Sequence, residues 1–111
     1  MEPLYPRLPD ESYTLEYAGV RQKAPNASGV YTISSPSHWV YVGESSDIQQ
    51  SLFHHLNTGA PCMNRFGPLS FSFEVQSEIA RLDRCRALVE ALKPVCNVNG
   101  VPELNTAASS D

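Results

Sequence analysis

The segment GVYTISSPSHWVYVGESSDIQQSLFHHL, which runs from Gly29 to Leu56, decides the fold of this chain. It opens with two β-rich runs, 29–34 and 39–43, and the short polar stretch between them is typical of a turn that joins two strands. Apolar side chains then recur every fourth residue, as on one face of a helix: Ile48, Leu52 and Leu56. We therefore predict two strands followed by a helix over 47–57.

The chain continues with one more strand and one more helix. Residues 69–76 alternate apolar and polar side chains, which predicts a strand whose core face carries Leu69, Phe71, Phe73 and Val75. Ser77 can cap a helix over 78–93, which Pro94 ends. The element order predicts an α+β fold, a small three-stranded sheet flanked by helices. The side chains expected in the core are Leu52, Leu56, Phe71, Phe73, Leu82, Val89 and Leu92.

The flanking segments carry weaker signals. Prolines at positions 3, 6 and 9 exclude a regular helix or a central strand, so residues 1–27 are predicted to form an extended N-terminal arm. Within it, 13–17 alternates enough for a short strand or a docking segment, and 18–27 has the composition of a loop. The polar residues of 99–111 predict a flexible tail, which leaves 28–98 as the one folded domain.

Composition limits the classes of protein. The chain of 111 residues has a net charge of −4 and a pI near 5.3, which argues against strong non-specific affinity for nucleic acid. No basic segment followed by an apolar run opens the chain, and no apolar stretch approaches about 20 residues, so we expect neither a signal peptide nor a membrane span. The cysteines are odd in number and widely spaced (Cys62, Cys85 and Cys96), which favours a reduced, cytoplasmic protein over a disulfide scaffold.

Two triplets in the opening segment resemble those that give the GIY-YIG nuclease superfamily its name. Gly29-Val30-Tyr31 and Tyr41-Val42-Gly43 stand in the family's order and spacing, Ser45 follows soon after, and the first helix ends near His55. The resemblance covers roughly residues 28–98. It implies the family's small sheet with packed helices, in agreement with the pattern of strands and helices.

The resemblance also implies a site. In active members the two motif tyrosines, here Tyr31 and Tyr41, line a cleft; the alternative is that both only fill one face of the sheet. His55 matches a family histidine at the end of the first helix. Asn97 matches an asparagine common near the end of the domain, where a turn residue bonded to the backbone is the alternative.

Two charged groups that the resemblance leads us to expect are missing. The family arginine that holds phosphate falls on Ser51, whose short neutral side chain cannot make the two-pronged contact of a guanidinium group. The family glutamate that binds the metal falls on Cys85, and a neutral thiol is a poor ligand for Mg²⁺. Asp83 or Glu90 would replace it only if the helix register were shifted. Mg²⁺ is therefore the expected cofactor only if the protein is active, and we expect no zinc site.

Basic side chains suggest a separate nucleic-acid interface. Arg65 lies in the predicted loop 62–68, and Arg81 and Arg84 share one face of the second helix. These three side chains are candidates for contacting phosphates. A solvated helix face with salt bridges, such as one between Arg86 and Glu90, is the simpler explanation of the helix residues.

The sequence therefore predicts a GIY-YIG-like domain whose nuclease site is degenerate and whose cleft serves a DNA or protein partner. The first alternative is an active metal-dependent endonuclease with rearranged site residues. The second alternative is a pure protein-interaction module. The missing Arg and Glu and the acidic net charge favour the inactive interpretations.

Overall fold

The computed structural model describes residues 11–59 and 61–97, which form a four-stranded antiparallel sheet and four helices. The strands are β1 (Tyr13–Thr14), β2 (Gly29–Ser34), β3 (Trp39–Ser45) and β4 (Ser70–Val75). The helices are α1 (Tyr17–Lys23), α2 (Ile48–Thr58), α3 (Pro61–Asn64) and α4 (Ala80–Leu92). The strands follow the order β1-β4-β2-β3, so that β2 lies inside the sheet and β3 at an edge.

The β2–β3 hairpin brings the two motif triplets face to face. Tyr31 lies opposite Gly43, and Ile33 lies opposite Tyr41. Strand β4 pairs with the other side of β2, where Phe73 lies opposite Tyr31. Because helices cover both faces of β2, its first five residues are all buried and the strand shows no alternation of exposure.

Two clusters of buried side chains hold the helices to the sheet. The cluster on the α2 side contains Tyr31, Ile33, Tyr41, Leu52 and Phe71. The cluster on the α4 side contains Val30, Val42, Cys85, Leu88 and Val89. Neighbouring residues of β2, such as Val30 and Tyr31, thus point to opposite sides of the sheet, as the pleat of a strand requires.

Both ends of α2 are capped. Asp47 Oδ1 accepts a hydrogen bond from the backbone N–H of Gln50 at 3.2 Å, which caps the first turn. Gly59 adopts a left-handed conformation with a φ of 58°, and its N–H donates to the carbonyl of His55. The predicted helix, 47–57, differs from the observed one by a single residue at each end.

The α+β class is confirmed, and one strand and one helix differ from the prediction. Strand β1 pairs with β4 and adds a fourth strand, and α1 lies where a loop was expected over 18–27. Contacts from α2 hold this short helix: the Tyr17 ring stacks on Phe53, and the Gln49 amide donates to the carbonyl of Ala24 at 3.1 Å. Helices of this length depend on such tertiary contacts, which no local sequence pattern contains.

The predicted core is correct in its centre and wrong at its margins. Leu52, Phe71 and Val89 are buried, and three further positions are half-buried: Leu56, Phe73 and Leu92. Val75, the last residue of β4, is 59% exposed, and Leu82 is 52% exposed, so both were wrongly placed in the core. In the N-terminal half of α4, arginine side chains rather than leucine face the sheet. The Leu82 side chain therefore points outward.

A disulfide joins Cys62 in α3 to Cys96 after α4, which corrects the expectation of three free cysteines. The two residues are 34 positions apart, so nothing in their spacing identifies them as a pair. Helix α3 itself overlaps the start of the segment 62–68, which was expected to be a loop. Cys85 remains as the free cysteine and is buried. Disulfides persist in oxidising compartments, so the reasoning that favoured a cytoplasmic protein no longer holds.

Some predictions fall outside the described residues. These are the first ten residues of the predicted arm and the predicted tail, 99–111. The division into arm, domain and tail therefore stays a prediction. Within the described part of the chain, no helix has the length and apolar character that a membrane crossing requires.

Candidate functional site

The two motif tyrosines and His55 form one buried aromatic cluster on the α2 side of the sheet. The Tyr31 hydroxyl lies 2.8 Å from His55 Nε2, within hydrogen-bond distance. The His55 ring meets both tyrosine rings edge-on, with its centroid 5.6 Å from that of Tyr31 and 4.9 Å from that of Tyr41. The exposed fractions are 2% for Tyr31, 1% for Tyr41 and 4% for His55. The structure brings these three predicted site residues together: the two tyrosines lie within the core, and His55 also lines a surface pocket together with Met63 and Leu69.

Burial keeps this aromatic cluster uncharged. Loss of contact with water lowers the pKa of His55 to about 4, with a smaller contribution from the charge of His54. Burial, followed by the neighbouring Tyr41, raises the pKa of Tyr31 well above its usual value. At neutral pH the hydrogen bond between Tyr31 and His55 therefore joins two neutral groups. Among the described residues, His55 Nδ1 has no hydrogen-bond partner.

Gly43, the second motif glycine, makes room for the Tyr31 side chain. A Cβ atom at this position would lie 2.6 Å from both Cζ and Oη of Tyr31 and 3.0 Å from Cε2 of Tyr41. The absence of a side chain at Gly43 therefore lets Tyr31 extend across β3 and reach His55.

We expect Gly43→Ala to lower the free energy of unfolding by about 2 kcal/mol, because the added methyl group overpacks a filled core and displaces the Tyr31 hydroxyl from His55. Urea unfolding followed by circular dichroism measures the change. As a control, Tyr31→Leu removes the atoms that the methyl group would meet, so the two substitutions together should cost less than the sum of their separate effects. Strictly additive losses would contradict the steric explanation.

Ser51, which the sequence resemblance placed at the family's arginine position, supports the connection between β3 and α2. Its hydroxyl donates to Ser45 Oγ at 2.6 Å, and Ser45 Oγ also accepts from the backbone N–H of Asp47 at 2.9 Å. These bonds give the Ser51 side chain a structural role. It carries no charge with which to hold a phosphate.

Asn97 is bonded to the outer edge of β3. Its Oδ1 accepts from the N–H of Val42 at 2.9 Å, and its Nδ2 donates to the carbonyl of the same residue at 3.0 Å. The backbone N–H groups of residues 95 and 96 also donate to carbonyls of β3, at 3.0 and 2.8 Å. The side chain of Asn97 thus contacts the backbone of β3, the strand that carries the second motif.

Cys85, which the sequence resemblance placed at the family's metal-binding position, is a buried neutral thiol. It packs in the α4-side cluster with an exposed fraction of 5%. Burial, and then the charge of nearby Glu44, raises the pKa of this thiol to about 11. The thiolate, which is the form that binds metals, is therefore disfavoured at neutral pH.

Glu44 is a site residue that the sequence analysis missed. Its Oε1 accepts a hydrogen bond from Nε of Arg81 at 2.6 Å, and Nη1 of Arg81 donates to Ser28 Oγ at 3.0 Å. The charge of Glu44 contributes to the raised pKa of Cys85, in the α4-side cluster, and to that of Tyr31, in the aromatic cluster. Glu44 is thus a carboxylate whose charge acts on both sides of the sheet. The signal that could have found it is its position directly after Gly43, at the end of the second motif.

These residues do not fit a magnesium site. Mg²⁺ takes oxygen ligands in proteins, commonly one or two carboxylates together with water. Cys85 offers a neutral thiol, and Glu44 is already bound to Arg81. Across residues 11–59 and 61–97, no three His, Cys, Asp or Glu side chains are grouped so that they could hold a metal ion.

The two arginines of α4 that were proposed to contact nucleic acid are engaged with the sheet. Arg81 binds Glu44, and Arg84 binds both carboxylate oxygens of Glu74, at 2.5 and 2.7 Å. All four side chains of these pairs are less than 30% exposed. The exposed pair on this helix forms between Arg86 and Asp83, at 3.7 Å, rather than with Glu90.

Arg65, the third basic residue, has different surroundings. It is exposed, and its guanidinium carbon lies 5.6 Å from the ring centroid of Phe66. The Phe66 ring in turn lies 5.1 Å from the ring of His38, which is exposed at the β2–β3 turn. Arg65, Phe66 and His38 together form the basic–aromatic patch.

The fold has counterparts among solved structures. The magnesium-bound GIY-YIG N-terminal endonuclease domain of UvrC from Thermotoga maritima is 22% identical to this chain, with a TM-score of 0.59, and the match covers 71% of this chain and 96% of that one. A point mutant of the same domain, bound to its catalytic divalent cation, gives the same identity and TM-score over 72% of this chain and 96% of that one. Neither a protein-family model nor a curated protein matches the chain. The described residues of this chain therefore have a GIY-YIG-like fold.

Proposed function

We propose that this GIY-YIG-like domain binds nucleic acid without cutting it efficiently. The observation that carries the proposal is the state of the expected metal position. Cys85 is a buried neutral thiol there, and the neighbouring carboxylate of Glu44 is bound to Arg81. Hydrolysis of a phosphodiester needs a group, such as a metal ion, that stabilises the developing negative charge. Neither Cys85 nor Glu44 is available to hold such an ion.

The basic–aromatic patch is the proposed contact surface. A guanidinium group beside an exposed His38 ring and a half-buried Phe66 ring suits a nucleic acid, because the cation pairs with phosphate and accessible rings stack on unpaired bases. Arg81 and Arg84 would have to leave Glu44 and Glu74 before they could contact phosphate, so we assign them a secondary role. The aromatic cluster of Tyr31, Tyr41 and His55 is proposed to keep its position near this surface as a structural remnant of the family site.

A protein partner is the second candidate, and the exposed side of α4 favours it. Ile79 is 87% exposed and Leu82 52% exposed, at neighbouring positions one turn apart. The net charge of −4 also disfavours a polyanion. Under this alternative, the domain would bind a protein through the apolar start of α4 and would not retain nucleic acid.

We expect cleavage of plasmid, linear or branched DNA to be at least about a hundredfold slower than that of a nuclease with an intact metal site, because removing one charge-stabilising group commonly costs that factor. The assay uses Mg²⁺ and Mn²⁺ in turn, and a metal-dependent nuclease that cuts the same DNA substrates serves as the positive control. Robust metal-dependent cleavage that is lost in Tyr31→Phe would instead establish the active endonuclease.

Binding is measured on the same protein by fluorescence anisotropy of labelled single- and double-stranded oligonucleotides at several salt concentrations. Arg65→Ala should weaken binding several-fold and lower the dependence on salt, since a phosphate contact releases counterions. Arg86→Ala, which removes an exposed arginine of α4, is the matched control and should change little. If no oligonucleotide binds at low salt, the protein-partner alternative replaces the proposal.

A further inference from the structure

The exposed apolar start of α4 lies on the β3 side of that helix. Arg84 binds Glu74 of β4 and so marks the β4 side. Leu82 is two residues from Arg84, which turns its side chain to nearly the opposite side of the helix. Leu82 is 52% exposed there, and Ile79, one turn earlier, is 87% exposed. Ile79 and Leu82 together form the α4 apolar surface.

The Arg81–Glu44 ion pair fixes the level of this surface along β3. Arg81 Nε lies 2.6 Å from Glu44 Oε1, and Glu44 is the second-last residue of β3. Leu82, the next residue after Arg81, is therefore level with the C-terminal end of that strand. A segment that follows the outer edge of β3 to its end arrives beside the α4 apolar surface.

The described part of the chain ends at Asn97, on this edge and directed toward this surface. The segment 95–97 is bonded in order to residues 39, 40 and 42 of β3, through two backbone N–H groups and the side chain of Asn97. The segment therefore runs parallel to β3. At Asn97 the chain is two strand residues, or about 7 Å, short of the level of Glu44.

The next seven residues of the sequence have a pattern suited to an apolar surface. Val98, Val101 and Leu104 recur at every third position, and Pro102 lies between the last two. Three residues are the repeat of a polyproline II helix, so in that conformation the three apolar side chains share one side. Its rise of about 3.1 Å per residue gives about 12 Å from Asn97 to Val101. That length is enough to pass the end of β3 and reach Leu82.

We propose that residues 98–104 of this chain cover the α4 apolar surface, with Val101 and Leu104 packed on Leu82 and Ile79. This inference does not depend on nucleic-acid binding. It changes the terms of the second candidate function, because a protein partner that binds the start of α4 must first displace residues 98–104. The flexible tail predicted from composition then begins after Leu104.

The test is limited proteolysis of the full chain by a glutamate-specific protease, with mass spectrometry of the fragment released by cleavage after Glu103. A synthetic peptide of residues 98–111 gives the cleavage rate of the free segment. Because the protease cuts only the open form of a packed segment, the parent protein should be cut after Glu103 at least about fivefold more slowly than the peptide. Leu82→Ser and Val101→Ser should each raise the rate at least about threefold, since each removes one side of the same apolar contact.

Val75→Ser is the matched control. Val75 is also an exposed apolar residue, at 59%, but it lies on β4, which β2 separates from β3. Its replacement should leave the cleavage rate after Glu103 unchanged.

The inference is overturned if the parent is cut after Glu103 as fast as the peptide, or if a folded Leu82→Ser protein is cut no faster than the parent. Val101→Ser leaves α4 unaltered and gives the same comparison should Leu82→Ser fail to fold. Sedimentation velocity covers the other occupant. A parent dimer that dissociates in Leu82→Ser, combined with cleavage at the rate of the peptide, would assign the surface to a second copy of this chain instead.

Discussion

Replacing Cys62 and Cys96 by serine is expected to lower the free energy of unfolding by about 4 kcal/mol. The disulfide closes a loop of 34 residues, and a cross-link over that length restricts the unfolded chain by about this amount. The loss is a large fraction of the 5–15 kcal/mol that stabilises a typical domain. Urea unfolding monitored by circular dichroism gives the value directly.

The control uses the third cysteine and a reductant. Cys85→Ala leaves the disulfide in place, so this variant should lose stability on reduction, as the parent does. The variant without Cys62 and Cys96 should not respond to reductant at all. Titration of three free thiols in the untreated protein, together with unfolding curves unaffected by reductant, would show that the bond does not form.

Acidification from pH 6.5 to pH 4 is expected to destabilise the fold by about 3 kcal/mol through His55 alone. The pKa of this histidine is about 4 in the folded protein and about 6.5 in an unfolded chain. Between these values the unfolded state binds a proton that the folded state excludes, so stability falls as the pH falls through this window. Well above pH 6.5 the histidine is neutral in both states, and its contribution no longer varies with pH. Unfolding free energies measured at half-unit intervals of pH give the slope.

The contribution of His55 is isolated by comparison with two variants. His55→Phe keeps an aromatic ring between Tyr31 and Tyr41 but removes the titrating group, so the slope between pH 6.5 and 4 should flatten. His54→Gln changes the exposed neighbour and should keep most of the slope, because burial is the main cause of the low pKa of His55. Carboxylates also titrate near pH 4, and subtracting the His55→Phe profile removes their effect. An unchanged slope in that variant would refute the assignment.

The sequence is informative about this fold wherever an element carries its own pattern. The motif strands, the alternating strand that became β4, and the capped helix α2 all have signals within their own residues. Helix α1 has none, since its position is set by stacking of Tyr17 on Phe53 and by the Gln49 amide at its end. The Cys62–Cys96 pairing depends on how α3 meets the segment after α4, which is a tertiary contact.

The sequence is limited in the same way in what it predicts about the candidate site. The positions of Tyr31, Tyr41 and His55 next to one another follow from the two motifs and the helix after them. Their degree of burial does not, because it depends on how closely α2 packs on the hairpin. The pairing of Glu44 with Arg81 also escaped prediction, since the two residues are 37 positions apart and belong to elements whose contact only the fold defines.

The segment at residues 95–97 has a consequence for self-association. Strand β3 is the last strand of the sheet, and its outer N–H and C=O groups would otherwise be open to another chain. Two backbone hydrogen bonds and the side chain of Asn97, which takes the place of a peptide group at Val42, occupy the outer groups of residues 39, 40 and 42. The disulfide at Cys96 holds the segment 95–97 against the rest of the domain. Asn97, which matches an asparagine common near the end of the family domain, thus also works against the edge-to-edge pairing by which small sheets polymerise.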